Sequence, residues 1–263
     1  MADIIQTTKN KTYKYIKSLQ QKKIRAQEGV FSVEGIKSVS DAFEAGKNIK
    51  ILAVSESFYS EGGTSHFRGT DIVIIKDGLF QGLCDTKTPQ GIIAVMDMFD
   101  TDNFVPDKNQ IYIYCDGISD PGNAGTIIRT ADAAGIGGVI FSKGSVDIYS
   151  PKTVRASMGS FFHTNIKTGG DADFLADMKS RGFNLFAGAL SKDSVPYTEV
   201  DFKEPSVIIV GNEANGVSEE VLEMSNHIII PIYGRAESLN AGVAAAVMIY
   251  GAVRCRKEQN NER

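Results

Sequence analysis

The chain has 263 residues, 42% of them hydrophobic and 23% charged, with a net charge of −4. That length holds one large or two ordinary domains, and the composition is that of a globular protein. No apolar run approaches the roughly 18 unbroken residues of a membrane span, and the opening MADIIQTTKNK lacks the apolar core of a signal peptide. No membrane partner and a cytoplasmic location are therefore expected. Cys84, Cys115 and Cys255 match no metal or redox spacing and read as free thiols of a reducing compartment. His66, His163 and His227 are isolated, so no metal site is expected. The acidic net charge argues against nucleic acid, but the charge is unevenly spread. Lys9, Lys11, Lys14, Lys17, Lys22, Lys23 and Arg25 stand against Asp3 alone in the first 25 residues. On charge alone, that segment is either a phosphate-contacting surface or a solvated helix face.

In chain order, Thr12–Gln21 reads as a short amphipathic helix with Tyr15, Ile16 and Leu19 turned inward. Val30–Glu34 alternates like a strand, Ile36–Ala45 reads as a helix stopped by Gly46, and Ile49–Val54 is a strand. Ser57–Gly69 is loop-like, Asp71–Ile75 a strand, Gly78–Cys84 a weak helix and Ile92–Met96 a strand. This makes a first α/β unit over 1–97, followed by a polar linker, 98–109, with Pro106 and several aspartates. A second alternation follows: strand Ile111–Cys115, helix Asn123–Ala134, strand Val139–Phe141, a helix start at Pro151–Ser157, strand His163–Ile166, helix Asp171–Arg181 and strand Leu185–Ala187. Val207–Val210 and His227–Ile230 are buried strands separated by a short helix, and Leu239–Val253 is a helix built of small apolar residues. The pattern predicts a mainly parallel sheet over 110–256 with covering helices and a polar tail over 257–263.

Three loops at strand ends carry chemistry. In Asp116-Gly-Ile-Ser-Asp-Pro-Gly-Asn-Ala-Gly-Thr-Ile-Ile-Arg129, a strand ends and a glycine-containing loop opens a helix, a setting that favours anions. The spacing is neither the dinucleotide fingerprint nor a P-loop. Asn123 lies where a helix cap would, and Arg129 further along faces an anion or a carboxylate. In Gly211-Asn-Glu-Ala-Asn-Gly216, Glu213 either accepts hydrogen bonds at a site or caps the next helix, a job Ser218 could do better. In Ile230-Pro-Ile-Tyr-Gly-Arg-Ala-Glu-Ser-Leu-Asn240, Ser238 either belongs to a site or caps the last helix. All three loops follow strand carboxyl ends, where α/β sheets bind ligands.

Taken in this order, N-x-G-x-x-x-R, G-N-E-x-x-G and I-P-x-x-G-x-x-x-S-L-N resemble the three motifs of the SpoU (TrmH) RNA methyltransferases of the SPOUT superfamily, over about residues 110–256. Arg155-Ala-Ser-Met-Gly-Ser160 resembles the family's intervening segment, and Phe31-Ser-Val-Glu-Gly-Ile-Lys37 resembles the ribosomal-protein-like RNA-binding domain often fused ahead of it. Ala214 stands where the family usually has Gly, and Ala241-Gly242 where it often has Val-Ser; both are small-for-small changes.

The resemblance implies a trefoil knot, a homodimer, S-adenosylmethionine as cofactor and methyl transfer to a ribose 2′-hydroxyl of RNA, with rRNA fitting the added N-terminal domain better than tRNA. It implies a catalytic set of Asn123, Arg129, Glu213, Ser238 and Asn240. It places the cofactor on Leu190, Gly211, Asn212, Ile230, Ile232 and Leu239, and RNA phosphates on Lys9, Lys11, Lys14, Lys22, Lys23 and Arg25. Two rival readings are a non-catalytic RNA-binding protein that keeps the knot and a nucleotide-dependent enzyme using the Gly117–Gly125 loop. The intact polar set counts against the first, and the missing glycine spacing counts against the second.

Overall fold

A computed structural model of the chain describes residues 4–202 and 205–260. Asp3 and the last three residues of the polar tail lie outside the described residues. The chain divides into two units: the residues up to Phe99 together with Asp147–His163, and Asp100–Val146 together with Thr164–Arg263.

The first unit holds β1 (Ile4–Ile5), α1 (Lys11–Ser18), α2 (Lys22–Glu28), β2 (Val30–Glu34), α3 (Ile36–Glu44), β3 (Ile49–Ser55), α4 (Glu56–Ser60), β4 (Ile72–Ile75), α5 (Asp77–Phe80) and β5 (Ile92–Asp97). Its five strands form one mixed sheet in the order β1-β4-β3-β5-β2. Asn10 caps α1 by accepting hydrogen bonds from the N–H groups of Thr12 and Tyr13 at 2.8 and 3.2 Å. Helix α1 buries Tyr13 and Ile16 and leaves Lys11, Lys14 and Lys17 exposed, the amphipathic division that its spacing predicts. Helix α2 is not legible in the sequence, because KKIRAQE has almost no apolar face. Its inward residue is Arg25, which is 2% exposed. Strand β1 and helix α4 are likewise additions to the sequence reading.

The second unit holds β6 (Ile111–Asp116), α6 (Pro121–Ala134), β7 (Gly138–Ser142), β8 (Ile166–Gly170), α8 (Ala172–Ser180), β9 (Asn184–Gly188), β10 (Val195–Pro196), β11 (Ser206–Gly211), α9 (Glu219–Glu223), β12 (Asn226–Ile229) and α10 (Ala241–Asn260); the helix between β7 and β8, α7 (Pro151–Ala156), packs in the first unit. The sheet has seven strands in the order β10-β12-β9-β11-β6-β7-β8, and every pairing in it is parallel. Tyr112, Tyr114, Leu185, Ala187, Val207 and Ile209 point into one core with Leu175 and Met178 of α8. Residues one step off, Ile111, Ile113, Ile208 and Val210, are also buried, so both faces of the sheet are covered, as a parallel sheet requires. Strand β8 begins at Ile166, not at His163, because Ser160–Phe162 forms a 3-10 turn. The stretch expected to be a linker is folded: Phe104 packs its ring on Tyr112 at 5.6 Å, and the Asp107 N–H donates to the Tyr112 hydroxyl at 2.7 Å.

Residues 147–163 depart from the simple two-domain division. They lie between β7 and β8 in the chain but pack within the first unit. Phe31, Tyr149 and Phe161 join Phe99 in an aromatic cluster with ring centroids 5.0 to 6.1 Å apart. The Arg25 guanidinium donates to the carbonyls of Leu19 and Gln20 at 2.7 and 2.9 Å and pairs with Asp147. This corrects the assignment of Arg25 to an RNA-contacting surface: a guanidinium buried on an internal carboxylate is not available to a phosphate. Removing one partner of a buried pair strands the other charge. Asp147→Ala should therefore lower the unfolding free energy by about 3 kcal/mol, read by urea denaturation, and Arg25→Met combined with Asp147→Leu should recover most of that loss. An Asp147→Ala protein as stable as the parent would show that the pair contributes nothing.

Candidate active site

Four neighbouring parallel strands, β12-β9-β11-β6, send their carboxyl-end loops to one edge of the sheet. These are the segments after Ile229, Gly188, Gly211 and Asp116. Because the strands are parallel, loops distant in sequence become neighbours there. Gly211 pairs with Asp116 in register. A Cβ at Gly211 would run into the backbone of Gly216 and Val217, so only glycine lets the chain fold back so tightly.

The centre of the edge is the Glu213 carboxylate. One oxygen accepts from the Ser119 N–H and hydroxyl at 3.2 and 2.9 Å. The other accepts from the Asp120 N–H at 3.3 Å and the Asn123 amide at 2.7 Å. Asn123 Oδ1 in turn accepts from Asn240 Nδ2 at 2.8 Å. Asn240 Oδ1 accepts the N–H groups of Gly242 and Val243 at 2.9 and 3.2 Å, which makes Asn240 the cap of α10. Ser238 is therefore not the cap, and α10 starts at Ala241, two residues later than the apolar run predicts. Nor does Asn123 cap α6. Asp120 does, accepting the Asn123 N–H at 2.8 Å, with Pro121 at the favoured first position and Gly135 closing the helix at φ 65°. Ser218 precedes α9 without a side-chain cap bond, and its N–H donates to Asp116 at 2.7 Å.

Partial burial pushes the Glu213 carboxyl upward. Hydrogen bonds from Asn123, from its own backbone and from Ser119 outweigh that and hold it at about 2, below its ordinary 4.5. Glu213 is thus a permanent anion whose lone pairs are already committed, and it is no proton acceptor at neutral pH. The thiols take no part in the site: burial drives Cys115 far up, and burial followed by Glu34 pushes Cys84 up to about 12.

The remaining expected residues divide into two groups. Asn212 is committed to its own loop. Its Nδ2 donates to the Gly117 carbonyl at 2.7 Å, its Oδ1 accepts from Ala214 and Asn215, and its backbone pairs with Gly216. It shapes the loop expected at the cofactor and has little polar capacity left for a ligand. Arg129 and Ser238 are exposed, and neither side chain makes a hydrogen bond or ion pair among the described residues. Leu190 is 76% exposed, Leu239 is exposed, and Ile230 and Ile232 are half-buried. From Pro231 to Leu239, no residue makes a hydrogen bond among the described residues, so that stretch of backbone has donors and acceptors to offer. Ser119 and Asp120 are functional neighbours that the sequence reading missed. Their side chains look like ordinary loop residues until Glu213 is seen to reach them. Among the described residues no group of three or more His, Cys, Asp or Glu could hold a metal ion, and no helix is long and apolar enough to cross a membrane.

A parallel α/β sheet with a locked polar relay and open loops at its carboxyl edge defines a ligand-binding α/β enzyme. Residues 110–250 match the SpoU rRNA Methylase family, and residues 10–94 match the MRM3-like substrate binding domain. The chain belongs to the SpoU rRNA methylase family. It is 33% identical to the 23S rRNA (guanosine(2553)-2′-O)-methyltransferase RlmP of Bacillus subtilis, over 94% of this chain and 97% of that one. It is 30% identical to the 23S rRNA (uridine(2479)-2′-O)-methyltransferase of Streptomyces viridochromogenes, over 88% and 85%. The crystal structure of an AdoMet-bound rRNA methyltransferase from Sinorhizobium meliloti superposes with a TM-score of 0.86 at 32% identity, covering 96% of this chain and 98% of that one.

The depressed pKa of Glu213 has a stability consequence. A carboxylate whose folded value lies below its unfolded value stabilises the fold above the unfolded value and ceases to do so as pH falls through the folded one. The contribution should be complete above about pH 4.5 and fade toward pH 2. In urea denaturation series from about pH 6 to about pH 3, Glu213→Gln should be less stable than the parent at the upper end, and the gap should narrow on acidification. A gap independent of pH would show that the charge is not what the loop uses.

Proposed function

We propose that the chain transfers the methyl group of S-adenosylmethionine to a ribose 2′-hydroxyl of ribosomal RNA. One observation carries this reading: Glu213 accepts from Asn123 and Asn123 from Asn240, leaving Arg129 and Ser238 as the motif side chains without a partner among the described residues. The cofactor fits the edge. Exposed Leu190 and Leu239 and half-buried Ile230 and Ile232 offer apolar surface for a flat adenine, and the uncommitted backbone of 231–239 offers groups to read its rim, with Gly211 holding the adjoining turn. When bound, S-adenosylmethionine supplies a methyl group already activated on a sulfonium. The protein has to align the ribose oxygen with that methyl and ease the loss of the hydroxyl proton.

Arg129 does the second of these by its charge. A guanidinium is a fixed cation and a poor proton acceptor, so its role is to stabilise the developing alkoxide or to grip the adjacent phosphate. The two curated relatives modify a guanosine and a uridine. What those nucleotides share is the ribose, and a ribose with its phosphate is what a guanidinium and a hydroxyl, Arg129 and Ser238, can address.

The first unit supports RNA engagement. Lys9, Lys11, Lys14, Lys17, Lys22 and Lys23 are exposed and make no ion pair among the described residues. Lys22 and Lys23 occupy the first turn of α2, which has no acidic residue and no side-chain cap. Helix stability gives no reason for cations there. Lys14 and Lys17, with Thr8, Tyr13, Ser18, Gln20 and Gln21, line an open cavity of about 430 Å³. The reading also includes a second copy of the chain and a knotted path through the C-terminal motifs. Val243, Val247 and Tyr250 of α10 lie at i, i+4 and i+7, an apolar stripe with Val243 and Tyr250 exposed that suits a partner helix. A single-chain mass of 28.5 kDa by sedimentation would remove the dimer, and a crystallographic trace without threading would remove the knot.

The direct test is incubation with methyl-labelled S-adenosylmethionine and rRNA from a host lacking the gene, followed by nucleoside analysis. A labelled 2′-O-methyl nucleoside is expected, and label on a base or no label overturns the reading. Arg129→Ala should abolish transfer while cofactor affinity by calorimetry stays within about twofold. Lys14→Glu with Lys17→Glu should weaken RNA binding across sequences and reduce its salt dependence.

A further inference from the structure

The loop between β12 and α10 carries two side chains for which the methyl-transfer chemistry has no use. The Tyr233 ring is 96% exposed. Arg235 is exposed too, and neither makes a hydrogen bond, ring contact or ion pair among the described residues. Gly234 between them has no atom within 4 Å of where a Cβ would stand. A tyrosine ring carries some 150–250 Å² of surface, and here the chain covers almost none of it. The position is not remote. The loop leaves the carboxyl end of β12, and Tyr233 stands seven residues before Asn240, the member of the polar relay that caps α10.

A solvent-facing aromatic ring beside an unpaired guanidinium is the chemistry that meets single-stranded RNA. The ring stacks on a base of any identity, and the guanidinium takes a phosphate. Glu237, exposed in the same loop, repels phosphates and so directs the backbone toward the Arg235 end. A nucleotide drawn from its neighbours so that its ribose oxygen can attack the methyl group gives up stacking that an aromatic side chain can replace.

Resting on the methyltransferase reading above, we propose that Tyr233 stacks on an unpaired base at or beside the target nucleotide while Arg235 holds a neighbouring phosphate. The substrate is then an unpaired segment of the RNA rather than a regular duplex. The site chooses an exposed ribose by shape and stacking, without reading the base edge.

The chain has no tryptophan, so Tyr233→Trp introduces a single indole. Its fluorescence should be quenched by an rRNA fragment carrying the unpaired target segment and unaffected by the same segment closed into a duplex. Tyr233→Ala should raise the RNA KM about tenfold with cofactor affinity and sedimentation mass unchanged, and Tyr233→Phe should restore most of the loss because the ring face does the work. Arg235→Ala should raise the RNA KM and flatten the salt dependence of binding by about one ion. An unchanged KM in Tyr233→Ala, absence of quenching, or equal quenching by duplex overturns the proposal. A change in mass instead would assign the ring to a second copy of the chain, and a change in cofactor affinity would assign it to the cofactor; either outcome overturns it. If the parent protein itself transfers no methyl group, the underlying function fails. If the parent is active and the variants match it, only the stacking proposal fails.

Discussion

Glu213 sits at the end of β11 and accepts hydrogen bonds from the loop that follows β6, while Asn123 from that same loop region holds Asn240 at the head of α10. Three stretches separated by roughly a hundred and by a few tens of residues are thereby fixed to one another. A neutral group could not do this as well, because a carboxylate accepts four donors and strengthens each bond by its charge. The carboxylate also lies beside the first turn of α6, where a negative charge is favoured by the helix dipole. The cost of partly desolvating it is offset by those donors, and the low pKa expresses that balance. The consequence for function is a division of roles. Of the motif residues, Glu213, Asn123 and Asn240 hold the loops to one another, while the exposed Arg129 and Ser238 side chains are left unengaged among the described residues.

The sheet explains why that lock stands where it does. All seven strands of the second unit run the same way, so every βα loop reaches the same edge. Helices α6 and α10 are built of small residues where they meet; Gly242 comes so close to Thr126 that a Cβ there would stand 3.2 Å from its methyl. Close helix packing brings the N-termini of both helices to the relay. It also lets the loop before α10 run without internal hydrogen bonds, because Asn240 anchors its far end. A segment that spends none of its backbone groups internally keeps them open to water or to a ligand that supplies partners.

Much of this was legible in the sequence, for reasons that can be named. Val207–Val210 and Ile111–Cys115 are β-branched or aromatic runs bounded by polar turns, and they fold as the strands expected. The order of the three loop motifs carries the resemblance to the family. What was not legible follows from geometry that no local pattern encodes. Helix α2 was missed because its buried face is an arginine satisfied by Asp147, far along the chain. The caps of α6 and α10 were misassigned because Asp120 and Asn240 compete with equally good candidates within a few residues. The choice is set by where Glu213 and Asn123 reach. Covalent order alone puts residues 147–163 in a continuous second domain, whereas Phe31, Phe99, Tyr149 and Phe161 form one aromatic cluster.

The division of charge bears on how such a protein selects one nucleotide among thousands. The chain is acidic overall, at −4, so RNA is not drawn to its whole surface; on the proposed reading the lysines of the first 23 residues supply the general attraction. On the proposed reading the second unit meets a ribose and phosphate, features every nucleotide carries, and relatives of this family that act on guanosine and on uridine fit that indifference. Selection has to come from how the RNA is presented: from the electrostatic footprint of the first unit, and from whether a ribose can reach the sheet edge. Selection by shape is the usual way RNA is recognised where its grooves conceal the bases. It also allows the catalytic edge to stay constant within a family while the preceding unit changes the target.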